Sequence, residues 1–371
     1  MSPADQETVT PAKKAVRLHN FSAGPAALPV DVLKEVQDEV LSYGDVGASV
    51  MEISHRSPTY TGIEQDAKRR IRELLGVGDE WHVLFLQGGA SMQFYQVPLN
   101  FLEDGASADY LITGRWSVKA FDEARYVGSA RAAASSEDRN FSYIPEASAW
   151  ELDPDAAYVH FTSNNTIVGT QFRSAPETDV PLVCDASSDF LSRPIEMDRY
   201  GLIYAGAQKN VGPAGATVVM IRADFLERRK QVLPTLLNYG THTKKLYNTP
   251  PVFAVYVIGK VLKWLEERGG LAGIQEINDR KADNLYRRID RTEFYSGTAA
   301  VSARSAMNVT FRLSDEDLEP RFLQESREFG LLALKGHRSL GGLRASIYNA
   351  CPEKSVDALV SFMDDFEKKH G

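Results

Sequence analysis

One pattern constrains this chain more than any other. Short apolar runs recur along it, each ending in small or polar residues, with helical patterns between several of them. WHVLFL (Trp81–Leu86) leads into QGGASMQF, and DYLIT (Asp109–Thr113) leads into GRWSVKAFDEARYVG. AYVHFTSNNTIVG, VPLVCDASSD and GLIYAGAQKNVG repeat the form. Strand runs that stay apolar without alternation are buried on both faces, as in a mainly parallel sheet covered by helices. The fold class is therefore α/β. In such sheets ligands bind beyond the carboxyl ends of the strands, where this sequence places its Gly, Thr, Asp and Lys.

The helical segments fit that frame. Apolar spacing predicts helices over Val30–Leu41, with Pro29 at its start, and over Tyr60–Leu75, whose polar face carries Glu64, Lys68, Arg69 and Arg72. A long helix is expected over Pro250–Gly270, stopped by Gly269-Gly270, and another from Ile274 to Ile289. Strand and helix candidates then alternate: MNVTFRL, DLEPRFLQESREFG, RASIYNA and SVDALVSFMDDFEKK. RLHNFSAGPAALP is turn-rich, and residues 1–15 lack an apolar signal core and read as a disordered lead-in.

Composition removes several classes of function. The 371 residues include 42 Lys+Arg and 50 Asp+Glu, a formal net charge of −8, so there is no bulk attraction to nucleic acid or an anionic membrane. Cys184 and Cys351 are too few for a disulfide framework or a multi-cysteine metal site, and the histidines have no metal-ligand spacing. No run approaches the roughly 18 apolar residues of a membrane span. A cytoplasmic enzyme is expected, and any anion must be held by local arginines, lysines and helix ends.

Four features carry chemistry. Lys209, just past a strand candidate in YAGAQKNVGPAG, could hold an aldehyde cofactor as an imine if burial or a neighbouring cation lowered its pKa from about 10.4. Its bland alternative is a surface turn lysine. Asp185 ends the run Pro181–Cys184 and could hold a pyridinium nitrogen protonated; a helix cap is the other reading. QGGASMQF presents backbone N–H groups at a helix start, a ready phosphate site that matches neither a P-loop nor GxGxxG. Arginines gather in ISHRS (His55, Arg56) and in ALKGHRSLGGLRASIYNA, where His337 and Arg338 suit a phosphate and Arg344 a carboxylate. Trp116 could stack on a flat cofactor or belong to the core. Thr166 could bond a ring substituent or cap a turn. His160, inside an apolar run, reads as a core group.

NFSAGPAALP, SVMEISHRS, LSRPIEMDRYGLIYAGAQKNVGPAG, YNTPPVFA and KGHRSLGGLRASIYNA together resemble the phosphoserine aminotransferase family, within the class V, fold-type I pyridoxal-phosphate enzymes. The likeness runs from about His19 to Gly371. It implies a large cofactor-binding domain over 30–270 with a mainly parallel seven-stranded sheet, and a smaller α/β domain from 16–29 and 271–371. It implies pyridoxal 5′-phosphate joined to Lys209 as an imine, with Asp185 on the ring nitrogen, Trp116 stacked on the ring and Thr166 on its 3′-oxygen side. Ala90, Ser91 and Gln208 correspond to cofactor-phosphate positions. Asn248 and Thr249 correspond to a pair reaching that phosphate from the second subunit of a homodimer, and His55 and Arg56 to a second donated pair. His337 and Arg338 correspond to substrate-phosphate residues and Arg344 to the α-carboxylate arginine. No metal is implied. Ala90-Ser91-Met92 stands where the family pattern leads one to expect Gly-Arg-Gly.

The implied reaction is ping-pong transfer of an amino group between L-glutamate and 3-phosphonooxypyruvate, giving O-phospho-L-serine and 2-oxoglutarate in serine biosynthesis. Some relatives also use a phosphorylated hydroxythreonine keto acid in vitamin B6 synthesis. The rivals are another reaction of the same fold, such as alanine–glyoxylate transamination or cysteine desulfuration, a catalytically silent binding protein, and an NAD-dependent dehydrogenase.

Overall fold

A computed structural model describes residues 17–371, so the expected lead-in over 1–15 lies outside the described residues, as does Val16. Seven strands form the main sheet: β1 (Trp81–Leu86), β2 (Ser107–Ile112), β3 (Ser129–Ser135), β4 (Val159–Thr162), β5 (Leu182–Asp185), β6 (Tyr200–Gly206) and β7 (Thr217–Arg222). Their spatial order is β1-β7-β6-β5-β4-β2-β3. Only β7 runs against its neighbours β1 and β6; every other adjacent pair is parallel. The expected α/β class and mainly parallel sheet are what the chain adopts.

Two strands went unread in the sequence. β3 (SARAAAS) is an edge strand with several exposed residues, so it has no apolar run to announce it. β7 (TVVMIR) follows the Gly-rich loop directly and returns antiparallel, outside the strand–helix–strand grammar.

The helices are α1 (Val30–Glu39), α2 (Pro58–Leu75), α3 (Gly89–Phe101), α4 (Arg115–Val127), α5 (Ala223–Glu227), α6 (Tyr239–Lys244), α7 (Val252–Glu266), α8 (Gly270–Asp290), α9 (Glu319–Glu328) and α10 (Glu353–His370). Ser57 caps α2 by accepting from the Tyr60 N–H at 3.2 Å. Gly269, expected to stop α7, instead is the residue from which α8 starts, in the left-handed conformation.

Alternate residues of each buried strand serve opposite faces. In β1, Val83 and Phe85 join the apolar cluster that includes α2 and α7, whereas Leu84 and Leu86 join the cluster with α3 and α4. A third cluster surrounds a smaller antiparallel sheet of β8 (Tyr295–Gly297), β9 (Asn308–Leu313) and β10 (Leu343–Ser346). Helices α8, α9 and α10 contribute to it, and Phe21 from the N-terminal approach is buried in it. His19–Asn20 pairs in parallel with Leu331–Leu332, which ties that approach to the C-terminal region. No helix among the described residues is long and apolar enough to cross a membrane.

Candidate active site

The carboxyl edge of the main sheet aligns three neighbouring strand ends. Thr162 of β4 pairs with Asp185 of β5, and Asp185 pairs with Tyr204 of β6. Beyond this edge lies a cavity of about 280 Å³. Its lining includes Gly88–Ser91, Trp116, Thr162, Thr166, Asp185, Gln208 and Lys209. The sequence-predicted amine, carboxylate, tryptophan, threonine and helix start thus meet in one place.

Lys209 follows β6 in a tight turn, and its Nζ donates to Thr166 Oγ1 at 2.7 Å. Burial brings the amine down to about 8; the Asp185 charge opposes this and the Arg344 guanidinium assists it. An amine near 8 is a usable nucleophile and base close to neutral pH, unlike a solvent lysine.

Asp185 is 3% exposed. One carboxylate oxygen, Oδ1, accepts from the Ser187 N–H at 3.0 Å and from Ser187 Oγ at 2.6 Å. No helix starts here, so Asp185 is not a helix cap: it fixes the turn after β5 and lies on the lining of the cavity. Burial pushes its pKa up, while the Ser187 bonds and Lys209 pull it down. A cation brought against it would favour the charged form further.

The helix start is built by Gly88 and Gly89, which have φ values of 92° and 65°, positions that side chains rarely adopt. A Cβ on Gly88 would come within 2.5 Å of Met92 Cβ. The first N–H groups of α3, at Gly89, Ala90 and Ser91, lack intrahelical partners, and all three residues line the cavity at the positive end of the helix. Two buried donors on the lining, Trp116 Nε1 and Thr162 Oγ1, have no partner among the described residues. A cavity with an amine, a buried carboxylate, a flanking indole and a row of free N–H groups fits a flat heteroaromatic ring carrying a basic nitrogen and a phosphate arm. Pyridoxal 5′-phosphate meets each requirement.

Arg344, on β10, reaches this region through Thr166, whose carbonyl accepts from Nη1 at 3.3 Å; its Nε is buried without a partner. His337 and Arg338 lie on the loop 336–342, which the structure closes at its base by the Gly336 N–H donating to the Gly342 carbonyl at 2.8 Å. Ser339 N–H faces His337 Nδ1 at 3.2 Å, which leaves Nε2 free as the outward donor. Gly341 and Gly342 both have left-handed φ, and they fold over Arg312 of β9, whose guanidinium donates to the Leu340 carbonyl. Glu316, at 2.6 Å, and Glu319, at 3.6 Å, hold Arg312 in turn.

The family model for aminotransferase class V matches residues 18–359. This chain belongs to that family. It is 55% identical over 360 residues to the phosphoserine aminotransferase of Desulfatibacillum aliphaticivorans, an alignment covering 96% of this chain and 99% of that one. The solved phosphoserine aminotransferase of Bacillus circulans subsp. alkalophilus superposes with a TM-score of 0.94 at 50% identity, covering 96% and 99% of the two chains. A PLP-bound phosphoserine aminotransferase from Trichomonas vaginalis superposes with a TM-score of 0.90 at 41% identity, covering 94% and 100%. The resemblance read from the motifs is borne out, and with it the fold-type I architecture.

The class V chain does not gather every predicted residue by itself. Asn248, Thr249, His55 and Arg56 are absent from the lining of the cavity, and so are His337, Arg338 and Arg344. Asn248 bonds Gln87 Oε1 at 2.8 Å, next to the start of α3, and Arg56 is exposed in the turn before α2. His160 is the expected core group: buried, 2.8 Å from the Tyr204 hydroxyl, and held down to about 3 by burial.

Sequence reading missed Thr162 and two supports. Asp189 is buried and accepts from Ser163 Oγ and, at 3.1 Å, from Gln171 Nε2, so it anchors the segment that carries Asn164–Thr166. Lys281 of α8 is buried with Nζ donating to the carbonyls of Ile347, Tyr348 and Cys351 at 2.9, 2.8 and 3.2 Å. The next link is Asn349, whose N–H donates to Asn210 Oδ1 at 3.0 Å beside Lys209. The DASSD motif offered a signal for Asp189; nothing local marked Lys281.

Proposed function

We propose that this chain is a homodimeric phosphoserine aminotransferase. It moves an amino group reversibly between L-glutamate and 3-phosphonooxypyruvate, with O-phospho-L-serine and 2-oxoglutarate as the other pair. The cofactor, pyridoxal 5′-phosphate, supplies when bound an aldehyde that engages amino groups and a ring that takes up the charge left when a Cα proton departs. The observation that carries the reading is the placement of Lys209 and Asp185 on one cavity, with Lys209 bonded to Thr166 and Asp185 fixed by Ser187.

Each residue has a distinct task. Lys209 would hold the cofactor and, once freed, would carry a proton from the donor's Cα to the cofactor's C4′, and in the second half-reaction from C4′ to the acceptor's Cα. Asp185 holds a proton on the ring nitrogen. Thr166 positions the Lys209 amine and bonds the oxygen side of the ring, and Trp116 covers one ring face. Ala90 and Ser91 grip the cofactor phosphate through the start of α3, with Gln208 beside them. Arg344 takes the substrate α-carboxylate as a fork. His337 and Arg338 take the phosphate of one substrate and the side-chain carboxylate of the other. Asn248, Thr249, His55 and Arg56 complete the partner's site across a dimer interface. The enzyme acts in the cytoplasm, a reading supported by two cysteines that are both buried and unpaired.

The test is a half-reaction assay on purified holoenzyme, following the cofactor absorbance as phosphoserine, glutamate or alanine is added. Phosphoserine and glutamate should each convert the cofactor to its amine form, and alanine should not at comparable concentration. A chain that reacts with alanine and leaves phosphoserine untouched would be a different transaminase.

A further inference from the structure

Arg115 and Lys119 lie one turn apart on α4 and so share a face. Arg115 sits in the first turn, where the helix end is already positive and a cation is disfavoured. Both side chains are exposed, and among the described residues neither forms an ion pair. Asp122 and Glu123, further along the helix, do not reach them. Lys119 Nζ is 4.8 Å from the centroid of Trp116, a lining residue of the cavity.

The loop 336–342 and α4 meet on one apolar cluster. Leu340 packs against the same apolar cluster as Trp116 and Val118 of α4. That docking brings His337 and Arg338 to the side of the cleft where Arg115 and Lys119 stand. Burial lowers the His337 pKa, and the charges of Arg344, Arg338, Lys119 and Arg115 lower it further. The four cations gathered around His337 repel one another, and a bound anion relieves that repulsion.

We propose that Arg115 and Lys119 form the α4 half of the anion pocket and set its preference for a phosphate over a carboxylate. This rests on the phosphoserine reading of the same site. A carboxylate carries one charge and is satisfied by a single forked arginine, which Arg338 supplies. A phosphate carries about 1.5 to 2 negative charges and three acceptor oxygens. The surplus charge and third oxygen need further cations; beside the His55 and Arg56 donated across the dimer interface, Arg115 and Lys119 supply them from α4.

The experiment uses holoenzyme with Arg115→Met, Lys119→Met and the double substitution, and measures kcat/KM of each half-reaction from the cofactor absorbance. Each single change should lower the phosphoserine value about tenfold, and the double change about a hundredfold. Glutamate should change less than about threefold. Arg115→Lys with Lys119→Arg should restore most of the phosphoserine rate, and added salt should weaken phosphoserine use more in the wild type than in the double variant. A double variant that keeps the wild-type ratio of phosphoserine to glutamate, or loses both equally, overturns the assignment of Arg115 and Lys119. Wild-type enzyme that reacts with glutamate but not with phosphoserine overturns the substrate reading itself.

Discussion

The two ends of the proposed site are built by opposite means. At the ring end, Asp185 and Thr162 stand on adjacent strand ends, almost fully buried, with Ser187 and Ser163 tying the carboxyl edge together. At the anion end, His337 and Arg338 hang on a loop whose turn depends on two left-handed glycines, and its cations are partly or fully exposed. One end must present charge without rearranging, because charge that develops in the reaction is best met by groups already oriented. The other end must accept a phosphate in one half-reaction and a carboxylate in the next. Rigidity belongs where the chemistry is shared by both substrates, and freedom belongs where they differ.

That contrast can be broken most severely at the amine. Lys209→Ala should remove the absorbance of the attached cofactor and lower kcat by about 10⁴-fold or more, since the same group is lost as holder and base. Turnover near the wild-type rate would remove the residue from the chemistry. Asp185→Asn should leave cofactor in place and cut kcat about 10²- to 10³-fold with little change in KM, the pattern of a group that acts on developing charge. A rise in KM alone would move Asp185 to the binding side of the comparison.

Substitutions behind each end sharpen it. Lys281→Met should destabilise the fold by about 3 kcal/mol in urea unfolding, because three buried carbonyls lose a charged donor. Arg312→Met removes the support beneath Leu340 at a half-exposed position. It should raise KM for phosphoserine about tenfold while kcat and the urea midpoint stay close to wild type. If Arg312→Met costs as much stability as Lys281→Met, the anion end is no looser than the ring end.

The smallest effect is in pH. With the amine brought to about 8, Lys209 is protonated below that value and neutral above it. Uptake of pyridoxal phosphate by cofactor-free protein should therefore speed up as pH rises through 8 and level off by about 9. An unshifted lysine would keep gaining to beyond pH 10. Uptake rates measured by stopped-flow absorbance between pH 6.5 and 10 decide between the two.

The legibility of the sequence followed the same divide. Five of the seven main strands could be read because each is an apolar run closed by small residues, and these are also the strands that deliver Asp185, Thr166 and Lys209. Arg344 was legible because it opens an apolar strand. The edge strand Ser129–Ser135 was not, since an alanine-rich edge needs little apolar surface. Arg312, Lys281, Arg115 and Lys119 gave no signal because their importance lies in distant partners. Arg312 matters through Leu340, and Lys281 through carbonyls some seventy positions away. Arg115 is unremarkable until the loop 336–342 is set against α4.

The pairing of His19–Asn20 with Leu331–Leu332 has a consequence for how the enzyme is made. The same stretch near the beginning lies against the lysine turn, where the Ala26 N–H donates to the Gln208 carbonyl, and it is fastened by Tyr348, whose hydroxyl bonds the Ala23 carbonyl. A ribosome that has finished β7 has already made every strand of the main sheet, yet residues 19–23 must wait for residues 331–348 before they can be seated. A nascent chain stalled before residue 331 should therefore lack the seat behind the lysine turn and emerge colourless.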